Sequence, residues 1–355
     1  MNFFLIFIIT LLLSISLTYL VKKIALKFNF LDKPNQDRKI HKKNTPLLGG
    51  LAIFCSFFIV LFFLKDNLVA GDLTKVHWLG FFLGGAILIF GGAIDDKCNL
   101  KAKHQIVFPL IAVFIILLFG ISIEKISNPF GGDFLYLNQW RLILFSLEFY
   151  IFSGLLIFFW LMGMMYTTKL LDGLDGLVTG VTMVGSFIIF LFTMTEKYYQ
   201  YDIALASLVL TATCLGFLVF NWHPASIFLG EGGSLFLGFA LGVLAIISGG
   251  KIAVALLVMG IPIMDVVWTI VRRLRKKQNP FKFSDREHLH FRILDTGIGQ
   301  RKTVLIYYAI ALGFGLSALF LQSKGKLLAL SILLILMFMI VFIFKKHDNK
   351  KPSNE

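Results

Sequence analysis

The stretch NFFLIFIITLLLSISLTYLV, residues 2 to 21, is apolar along most of its length and contains no charged side chain. A helix needs about 20 mostly apolar residues to cross the hydrocarbon core of a bilayer, so this stretch can span one. No basic residue precedes the apolar run, and no small-residue cleavage site follows it. The stretch therefore predicts a membrane helix that the mature chain retains.

The remainder of the chain has the same character. Its 355 residues are 57% hydrophobic and only 15% charged, which leaves too few polar side chains to cover a soluble globule. Long apolar runs recur, and such runs indicate helices, because the strands of a membrane barrel alternate in polarity. The composition predicts an all-α fold, a polytopic integral membrane helical bundle.

Eleven apolar runs alternate with polar connections, and each run is interpreted as a transmembrane helix. They lie near residues 2 to 21, 46 to 64, 78 to 94, 104 to 123, 142 to 165, 176 to 195, 202 to 220, 233 to 249, 252 to 271, 303 to 322 and 327 to 344. A count of ten spans is the alternative, since the two runs that meet at Gly249 share a very short turn. No repeat or long linker is visible, so residues 1–355 are predicted to form a single transmembrane domain.

The connections divide the basic residues very unequally. One side of the membrane receives most of the 34 Lys and Arg residues. Cytoplasmic loops carry this excess in membrane proteins, so the N-terminus is predicted outside and the C-terminus in the cytoplasm. Topology also accounts for the net charge of +14, so no nucleic-acid partner is expected. The surrounding membrane lipids are expected partners.

Acidic residues and histidines collect on the same predicted cytoplasmic side. They fall in five loops, near residues 22–45, 95–103, 166–175, 221–232 and 272–302. A helical bundle brings the loops at one end together around a common mouth. Residues that are far apart in sequence can therefore form one site.

The first of these loops contains DKPNQDRKIHKKNTPLLGG, residues 32 to 50. Arg38, Lys39 and His41 stand between Pro34 and Pro46, in a segment that cannot form a regular helix. Their cationic side chains on such a segment suit the capture of a phosphate. Anchoring to anionic lipid is the alternative for the lysines that flank them.

The third predicted span ends in GGAIDDKCNLKAK, residues 91 to 103. Its neighbouring carboxylates, Asp95 and Asp96, repel each other, and a helix cap accounts for only one of them. A bound divalent cation or a basic ligand would relieve the repulsion. The pair is predicted to be functional, because acids at a membrane boundary are costly without such a role.

The strongest motif is KLLDGLDGLVTG, residues 169 to 180. Asp172 and Asp175 are three residues apart, so both point the same way in a helical turn. A capped helix start explains one acid and one glycine. The other acid is left for a functional role.

The fourth loop reads FNWHPASIFLGEGGSLFLG, residues 220 to 238, and contains neither Lys nor Arg. Glu231 stands between two glycines just before an apolar run. One interpretation is a first-turn acid that faces the helix dipole. The other is that the glycines bare backbone N–H groups for a phosphate while the carboxylate holds a metal ion.

The last large loop, RRLRKKQNPFKFSDREHLHFRILDTG, covers residues 272 to 297. Its first basic cluster follows from topology, but Asp285, Arg286, His288 and His290 do not. Histidines two residues apart cannot share a helix face, which predicts an extended segment that presents both.

Two acids fall inside predicted spans, Glu148 and Asp265. Ionisable residues within a membrane are functional candidates. Asp265 is the stronger candidate, because Pro262 should break its helix and expose backbone carbonyls.

Taken in order, the motifs DKPN, RKIH, IDD, LLDGLDGL, FNWHPA, FLGEGGS and DREHLH resemble the polyprenyl-phosphate N-acetylhexosamine-1-phosphate transferase superfamily, glycosyltransferase family 4. The resemblance covers residues 31 to 292, and each motif falls in the expected loop. The DREHLH segment is more similar to the undecaprenyl-phosphate N-acetylglucosaminyl 1-phosphate transferase branch. The branch that acts on UDP-N-acetylmuramoyl-pentapeptide usually has a run of three histidines there.

The resemblance implies an enzyme that transfers a sugar 1-phosphate from a UDP-sugar to undecaprenyl or another polyprenyl phosphate and releases UMP. On the more similar branch the group is N-acetylglucosamine 1-phosphate, in the first membrane step of cell-envelope glycan synthesis. The resemblance also implies Mg²⁺ as cofactor, with Mn²⁺ as a substitute, and an active site on the cytoplasmic face of the plasma membrane. A homodimer is compatible with it.

Carried over by motif, the resemblance implies three groups of site residues. The catalytic group is Asp95, Asp96, Asp172, Asp175, His288 and His290. The residues that bind substrate phosphates are Arg38, Lys39, His41, Lys103, Lys169, Asn221 and Arg286. The implied metal ligands are Glu231 and Asp175.

Three positions depart from the superfamily's usual pattern. Lys169 stands where Asn is usual, and an ammonium cannot replace an amide oxygen as a metal ligand. Glu231 replaces Asp and is one methylene longer. Phe291 occupies the place of a second consecutive histidine, so one contact with the substrate diphosphate is expected to be absent.

Other functions remain as alternatives. Within the same superfamily, the alternative is a phospho-N-acetylmuramoyl-pentapeptide transferase. From other classes, the alternatives are a secondary transporter and a non-catalytic scaffold. Transporters place coupling acids near the midplane and have repeated halves, whereas the acids here collect at one boundary and no repeat is visible.

Overall fold

The computed structural model describes residues 2–32, 34, 44–69, 73–128, 134–144, 147–249, 251–277 and 288–348. Four predicted phosphate-binding residues, Arg38, Lys39, His41 and Arg286, lie outside the described residues, as does Asp285. The described part of the chain is a helical bundle with short antiparallel hairpins in its connections.

The first half of the chain contains these hairpins, in which β1 pairs with β2, β3 with β4, and β5 with β6. Its elements are α1 (Phe3–Lys27), β1 (Leu31–Asp32), β2 (Thr45–Pro46), α2 (Gly49–Phe63), α3 (Lys75–Cys98), α4 (Ala102–Gln105), α5 (Val107–Leu118), β3 (Lys125–Ser127), β4 (Phe134–Tyr136), β5 (Arg141–Leu144) and β6 (Leu147–Tyr150).

The described residues of the second half of the chain form helices joined by short connections, without a strand among them. Its elements are α6 (Ile151–Leu171), α7 (Leu177–Thr193), α8 (Tyr201–Asn221), α9 (Gly230–Ile247), α10 (Ile252–Val258), α11 (Gly260–Arg275), α12 (Leu289–Ile293), α13 (Gln300–Phe320) and α14 (Ser323–Asp348).

Every predicted span overlaps a helix or a pair of helices. Among the described residues, six helices are long and apolar enough to cross a membrane, and the bent pair α10–α11 makes a seventh. Helices α2 and α7 and the α4–α5 stretch are apolar but shorter. The polytopic membrane class is therefore confirmed, while the number of crossings and their orientation stay predictions.

Helix α9 lies at the centre of the bundle and packs against α2, α3, α6 and α7. In its most apolar window 89% of the residues are buried, against 28% in α1. Large exposed side chains such as Phe4 and Phe63 lie on the outer helices, as expected for surfaces that face lipid. The central helix is also the one that has Glu231 in its first turn.

Glycines let two helices approach the start of α9 at backbone distance. A Cβ added at Gly92 of α3 would overlap the backbone nitrogen of Gly232, and one added at Gly50 of α2 would overlap the Cα of Gly233. A Cβ at Gly232 would lie only 2.8 Å from the carbonyl oxygen of Leu88. Small residues are the usual means by which membrane helices pack closely. The first turn of α9 is therefore held between α2 and α3.

The predicted break near Pro262 is confirmed, since α10 and α11 meet at an angle of 78°. Pro262 lies in the first turn of α11, where a missing N–H removes no helical hydrogen bond. The break turns α11 so that Asp265, in its second turn, is buried at 4% exposure.

The predicted span 142 to 165 is wrong at its start. Strands β5 (Arg141–Leu144) and β6 (Leu147–Tyr150) pair there, with Ile143 opposite Glu148, and α6 begins only at Ile151. Glu148 therefore stands in a strand and not inside a membrane helix. Short apolar runs rich in aromatic residues fit a strand as well as a helix, and for that reason periodicity did not separate the two. The all-α prediction holds for the bundle and omitted the hairpins.

We predict that Gly92→Ala lowers the stability of the protein by about 1–3 kcal/mol or more, because overpacking forces the backbones of α3 and α9 apart. Thermal unfolding of the purified protein in detergent measures this change. Gly163→Ala in α6 is the matched control, because a Cβ at Gly163 meets nothing within 4 Å. Equal unfolding temperatures for the two variants would contradict the close contact between α3 and α9.

Candidate active site

The predicted site residues meet at the mouth of the bundle, which is the end where α3, α6 and α8 end and where α7 and α9 begin. Gly230 opens α9 with a φ of +73°, a backbone conformation that favours glycine. Asp96 of α3 accepts a 3.0 Å hydrogen bond from the backbone N–H of Glu231. The Asp96 carboxylate thus lies at the positive end of the α9 dipole, which favours a negative charge.

Lys169, in the last turn of α6, links the acids of two other motifs. Its ammonium forms an ion pair with Glu231 and donates a 3.0 Å hydrogen bond to Oε1 of Gln105. The amide nitrogen of Gln105 in turn donates to both carboxylate oxygens of Asp95, at 3.1 and 3.0 Å. The backbone N–H of Leu100 donates to Asp95 as well, at 2.7 Å. Lys169 therefore balances part of the negative charge and connects α6 to α3 and α9.

Asp175 is already engaged by groups of the fourth loop. Its Oδ2 lies 2.7 Å from Nδ1 of His223 and accepts a 3.1 Å hydrogen bond from the N–H of Ala225. Arg301, at the start of α13, donates a 2.8 Å hydrogen bond to the carbonyl oxygen of His223. These bonds fix the orientation of Asp175 and tie the fourth loop to α13.

Asp172 stands at the C-terminal cap of α6 and forms no hydrogen bond with the other described residues. Its side chain is open to the mouth, although protein surrounds the site on its other sides. This enclosure, and then the charges of Glu231, Asp175 and Asp96, raises the pKa of Asp172 to about 8. A cation that binds there would favour the ionised carboxylate and displace any bound proton.

Two buried histidines of the last loop, His288 and His290, lie at the mouth. Nδ1 of His288 lies 2.9 Å from Oδ2 of Asp265, whose other oxygen accepts a 3.0 Å hydrogen bond from the N–H of Leu289. The rings of His288 and His290 stack 5.6 Å apart at an interplanar angle of 8°. Gly173 leaves the room for this pair, because a Cβ there would lie 2.5 Å from Nε2 of His290.

The predicted extended segment is right for His288, with φ −64° and ψ 148°, and wrong for His290, which lies in the first turn of α12. Parallel stacking, and not an extended backbone, brings the two rings together. Burial lowers the pKa of His290 to about 3, so its ring is neutral at neutral pH. Nε2 of His288 and both ring nitrogens of His290 are buried without a hydrogen-bond partner among the described residues.

Two of the predicted phosphate-binding residues, Asn221 and Lys103, form no hydrogen bond with the acids and histidines described above. The amide oxygen of Asn221 accepts hydrogen bonds from the N–H of Gly176 and the hydroxyl of Thr179, and its nitrogen donates to the carbonyl of Ile227. These bonds make Asn221 a residue that positions α7. Lys103 is exposed and forms no hydrogen bond or ion pair with the other described residues.

The carboxylate oxygens at the mouth are suitable ligands for a hard divalent cation, although the described side chains do not form a complete binding site. Carboxylate oxygens are the ligands that Mg²⁺ prefers, and Mg²⁺ often takes only one or two of them together with substrate phosphates. Within the described ranges, no three His, Cys, Asp or Glu side chains are close enough to hold a metal ion together. Asp172, which lacks a hydrogen bond, fits such a role with the neighbouring Glu231 or Asp175 once a substrate supplies further oxygens.

Sequence reasoning missed two residues of the network and one pairing. Gln105 connects Asp95 to Lys169, yet a single amide at the edge of an apolar run gives little signal. His223 was grouped with the acids of the predicted cytoplasmic side but was not assigned to Asp175. The pairing of Asp265 with His288 joins two residues that were each singled out without being connected.

This bundle gathers acids, the ammonium of Lys169 and two buried histidines at one end of its helices, and it defines a polytopic membrane protein whose site suits phosphate-bearing substrates. The family model described as Glycosyl transferase family 4 matches residues 78–249. The chain is 33% identical over 343 residues to a protein of Bacillus subtilis named probable undecaprenyl-phosphate N-acetylglucosaminyl 1-phosphate transferase, a match that covers 95% of this chain and 90% of the relative. The chain therefore belongs to glycosyl transferase family 4, and the family predicted from its motifs is confirmed.

Two further relatives cover most of the chain. One, from Thermotoga maritima, is named undecaprenyl-phosphate alpha-N-acetylglucosaminyl 1-phosphate transferase and is 28% identical, with 96% of this chain and 98% of the relative covered. The other, from Mycobacterium leprae, is named decaprenyl-phosphate N-acetylglucosaminephosphotransferase and is 26% identical, with 88% and 84% covered.

We expect Asp265→Asn to lower the catalytic rate by about 10- to 100-fold, the range found when a carboxylate that orients a histidine is lost. Two donors, from His288 and from Leu289, face the two oxygens of Asp265, and an amide can accept only one of them. Steady-state kinetics of the purified variant measures the change, and Asp265→Glu should restore part of the rate.

Asp202→Asn provides the control for this prediction, because Asp202 is a buried acid near the start of α8, at the opposite end of the bundle. Its rate per folded molecule should equal that of the wild type. Equal rates for both Asn variants would show that Asp265 does not orient a residue needed for catalysis.

Proposed function

We propose that this enzyme transfers N-acetylglucosamine 1-phosphate from UDP-N-acetylglucosamine to undecaprenyl phosphate or a related polyprenyl phosphate and releases UMP. The observation that supports this most directly is the convergence of Asp96, Lys169, Asp172, Glu231 and His290 from separate parts of the chain. Their groups offer cationic, neutral and metal-binding partners to a diphosphate, and relatives that cover nearly the whole chain carry this activity in their names.

The two substrates are proposed to enter from different sides of the acid cluster. Asp95 and Asp96, at the end of α3, face the lipid phosphate, and Asp172 and Asp175 lie beside the nucleotide diphosphate. His288 and His290 present nitrogens that have no hydrogen-bond partner among the described residues. A neutral imidazole donates through one ring nitrogen and accepts through the other, so His290 can donate one hydrogen bond to an oxygen of the diphosphate. Nε2 of His288 can donate as well when that ring carries a proton on both nitrogens.

The acceptor phosphate needs little help to become a nucleophile. A phosphomonoester carries a charge of about −1.5 to −2 at pH 7, because its second pKa is near 6. An oxygen of the lipid phosphate attacks the β-phosphorus of the UDP-sugar, and the bond from that phosphorus to the oxygen of the leaving UMP breaks. The protein must therefore align two anions and offset their repulsion.

The residues of this chain supply that alignment. The ammonium of Lys169 lies between Glu231 and Gln105, where it can approach the diphosphate once Glu231 takes part in metal binding. The hydrogen bonds to Asp95 and Asp175 hold those carboxylates in place, so positioning suits them better than proton abstraction. Bound Mg²⁺, or Mn²⁺ in its place, would neutralise charge on the diphosphate, with Asp172 and Glu231 or Asp175 as its proposed ligands.

The proposed topology has eleven spans, an outer N-terminus and a cytoplasmic C-terminus. It places the mouth at the cytoplasmic face of the plasma membrane, where a soluble nucleotide sugar is available. The excess of basic residues in the connections at the mouth end supports this orientation. A homodimer remains a proposal that no contact of the single chain supports.

We expect the purified enzyme to release UMP from UDP-N-acetylglucosamine only when a polyprenyl phosphate and Mg²⁺ are present. Mass spectrometry of the lipid product identifies the transferred sugar. Asp172→Asn should reduce the rate by about a hundredfold or more, because it removes a proposed ligand of the cation that offsets the negative charge of the transition state. UMP release from UDP-N-acetylmuramoyl-pentapeptide alone would favour the other branch, and no release from any UDP-sugar would favour a transporter or a scaffold.

We also expect Lys169→Met to strengthen Mn²⁺ binding in the absence of substrate by about tenfold or more. The ammonium competes with a metal ion for Glu231, and a contact between opposite charges is worth roughly 1–4 kcal/mol in surroundings between water and a protein surface. Titration of Mn²⁺ followed by electron paramagnetic resonance measures the free ion directly and needs no turnover.

Lys103→Met is the matched control for the metal titration. It removes the same charge from an exposed lysine at the same end of the bundle that contacts none of the acids. Its affinity for Mn²⁺ should stay near that of the wild type. If Lys169→Met binds Mn²⁺ no more tightly than Lys103→Met, Lys169 does not compete with the metal for Glu231.

A further inference from the structure

At the end of the bundle opposite to the mouth, three lysines from separate parts of the chain surround one aromatic pair. Phe192 and Tyr198 stack with their centroids 4.6 Å apart. Nζ of Lys251 lies 4.6 Å from the Tyr198 centroid, and Nζ of Lys326 lies 4.3 Å from the Phe192 centroid. Nζ of Lys197 lies 5.4 Å from the Tyr198 centroid. The α7–α8 connection, the α9–α10 connection and the first turn of α14 thus meet here through their lysines.

These positive charges have no negative partner among the described residues. No ion pair joins Lys197, Lys251 or Lys326 to a carboxylate in that part of the chain, and Lys251 and Lys197 both repel Lys326. Lys251 and Lys326 are also half-buried, which reduces the water that would otherwise screen them. Like charges in such a place raise the free energy of the folded state unless an anion joins them.

The side-chain amide of Gln200 borders the same space, and its nitrogen can donate a hydrogen bond to an anion. Its oxygen is an acceptor that is buried without a hydrogen-bond partner among the described residues, so the nitrogen is the atom that would contact a phosphate. Gly249, with a φ of +79°, lies between this amide and Lys251, because a Cβ at Gly249 would be 4.0 Å from Nε2 of Gln200 and 3.8 Å from Nζ of Lys251. The glycine leaves open the space that the lysine and the amide face.

Cation–π contacts explain why each lysine lies over a ring but not why three lysines share two rings. Such a contact contributes about 0.5–1 kcal/mol at an exposed site, and it leaves the repulsion between the ammonium groups in place. Basic residues are also scarce at this end of the bundle. Those in its connections are Lys65, Lys75, Lys125, Arg141, Lys197, Lys251, Lys324 and Lys326. Three members of this small set have come together at one point.

We propose that Lys197, Lys251 and Lys326, with the amide of Gln200, form a binding site for a phosphate group at this end of the bundle. The site lies among helix ends and beside aromatic rings, the level at which lipid headgroups contact a membrane protein. A phosphodiester or phosphomonoester on a lipid headgroup fits it, and a soluble phosphate presents the same chemistry. The site is separate from the mouth and does not depend on the transferase reaction.

The test compares two triple variants of the full chain, each of which loses three positive charges at the same end of the bundle. The site variant is K197Q/K251Q/K326Q, and the control variant is K65Q/K75Q/K324Q. Native mass spectrometry counts bound lipid after reconstitution with phosphatidylglycerol or with phosphatidylcholine. A parallel arm measures the rise in unfolding temperature on addition of inorganic phosphate in a neutral detergent.

We expect the wild type and the control variant to retain phosphatidylglycerol about tenfold more tightly than the site variant does. A loss confined to the lipid arm identifies a headgroup as the source of the phosphate, and a loss confined to the inorganic phosphate arm identifies a soluble anion. The proposal would be overturned if the two triple variants retained phosphatidylglycerol equally and also gained the same rise in unfolding temperature from inorganic phosphate.

Folding of the site variant is checked independently by its rate of UMP release, which should equal that of the wild type because the lysines are remote from the mouth. If the triple substitution prevents folding, Lys251→Gln alone replaces it, with Lys324→Gln as its control. A Lys251→Gln protein that binds both phosphate sources as tightly as the control would equally refute the site.

Discussion

The backbone contact between α3 and α9 is the constraint on which the rest of the mouth depends. Gly92 and Gly232 let the two helices approach without intervening side chains, and Gly50 and Gly233 do the same for α2. That approach places the carboxylate of Asp96 against the first turn of α9 and beside Glu231. A larger residue at this contact would move the α3 acids away from the other motifs, even though the glycines carry no reactive group.

The mouth tolerates its concentration of acids because most of them are matched to donors. Asp95, Asp175 and Asp265 accept hydrogen bonds from backbone N–H groups and side chains, and Glu231 has the ammonium of Lys169. Asp172 is the exception among them. Matched carboxylates hold loops in fixed positions, whereas an unmatched one is available to a ligand. Structural and chemical roles are thereby divided among residues of the same type.

The sequence predicted the helical bundle, the family and the break at Pro262 because each rests on local chemistry. Apolar runs long enough for a membrane need no tertiary information, and a proline breaks a helix wherever the helix lies. The β5–β6 hairpin was missed for the same reason. Over ten residues an apolar run with aromatic side chains satisfies both a strand and a helix, and pairing with a neighbouring strand decides between them.

The amino-acid sequence by itself determined which residues of this protein carry charge at the ends of its helices, and on which side of the bundle most of them stand. Only the tertiary structure decided their partners, such as Lys169 with Glu231 and Gln105, and His288 with Asp265. Partners of this kind come from helices that are remote in sequence. Their distance depends on how closely backbones pack, and side-chain patterns along one chain do not encode that distance.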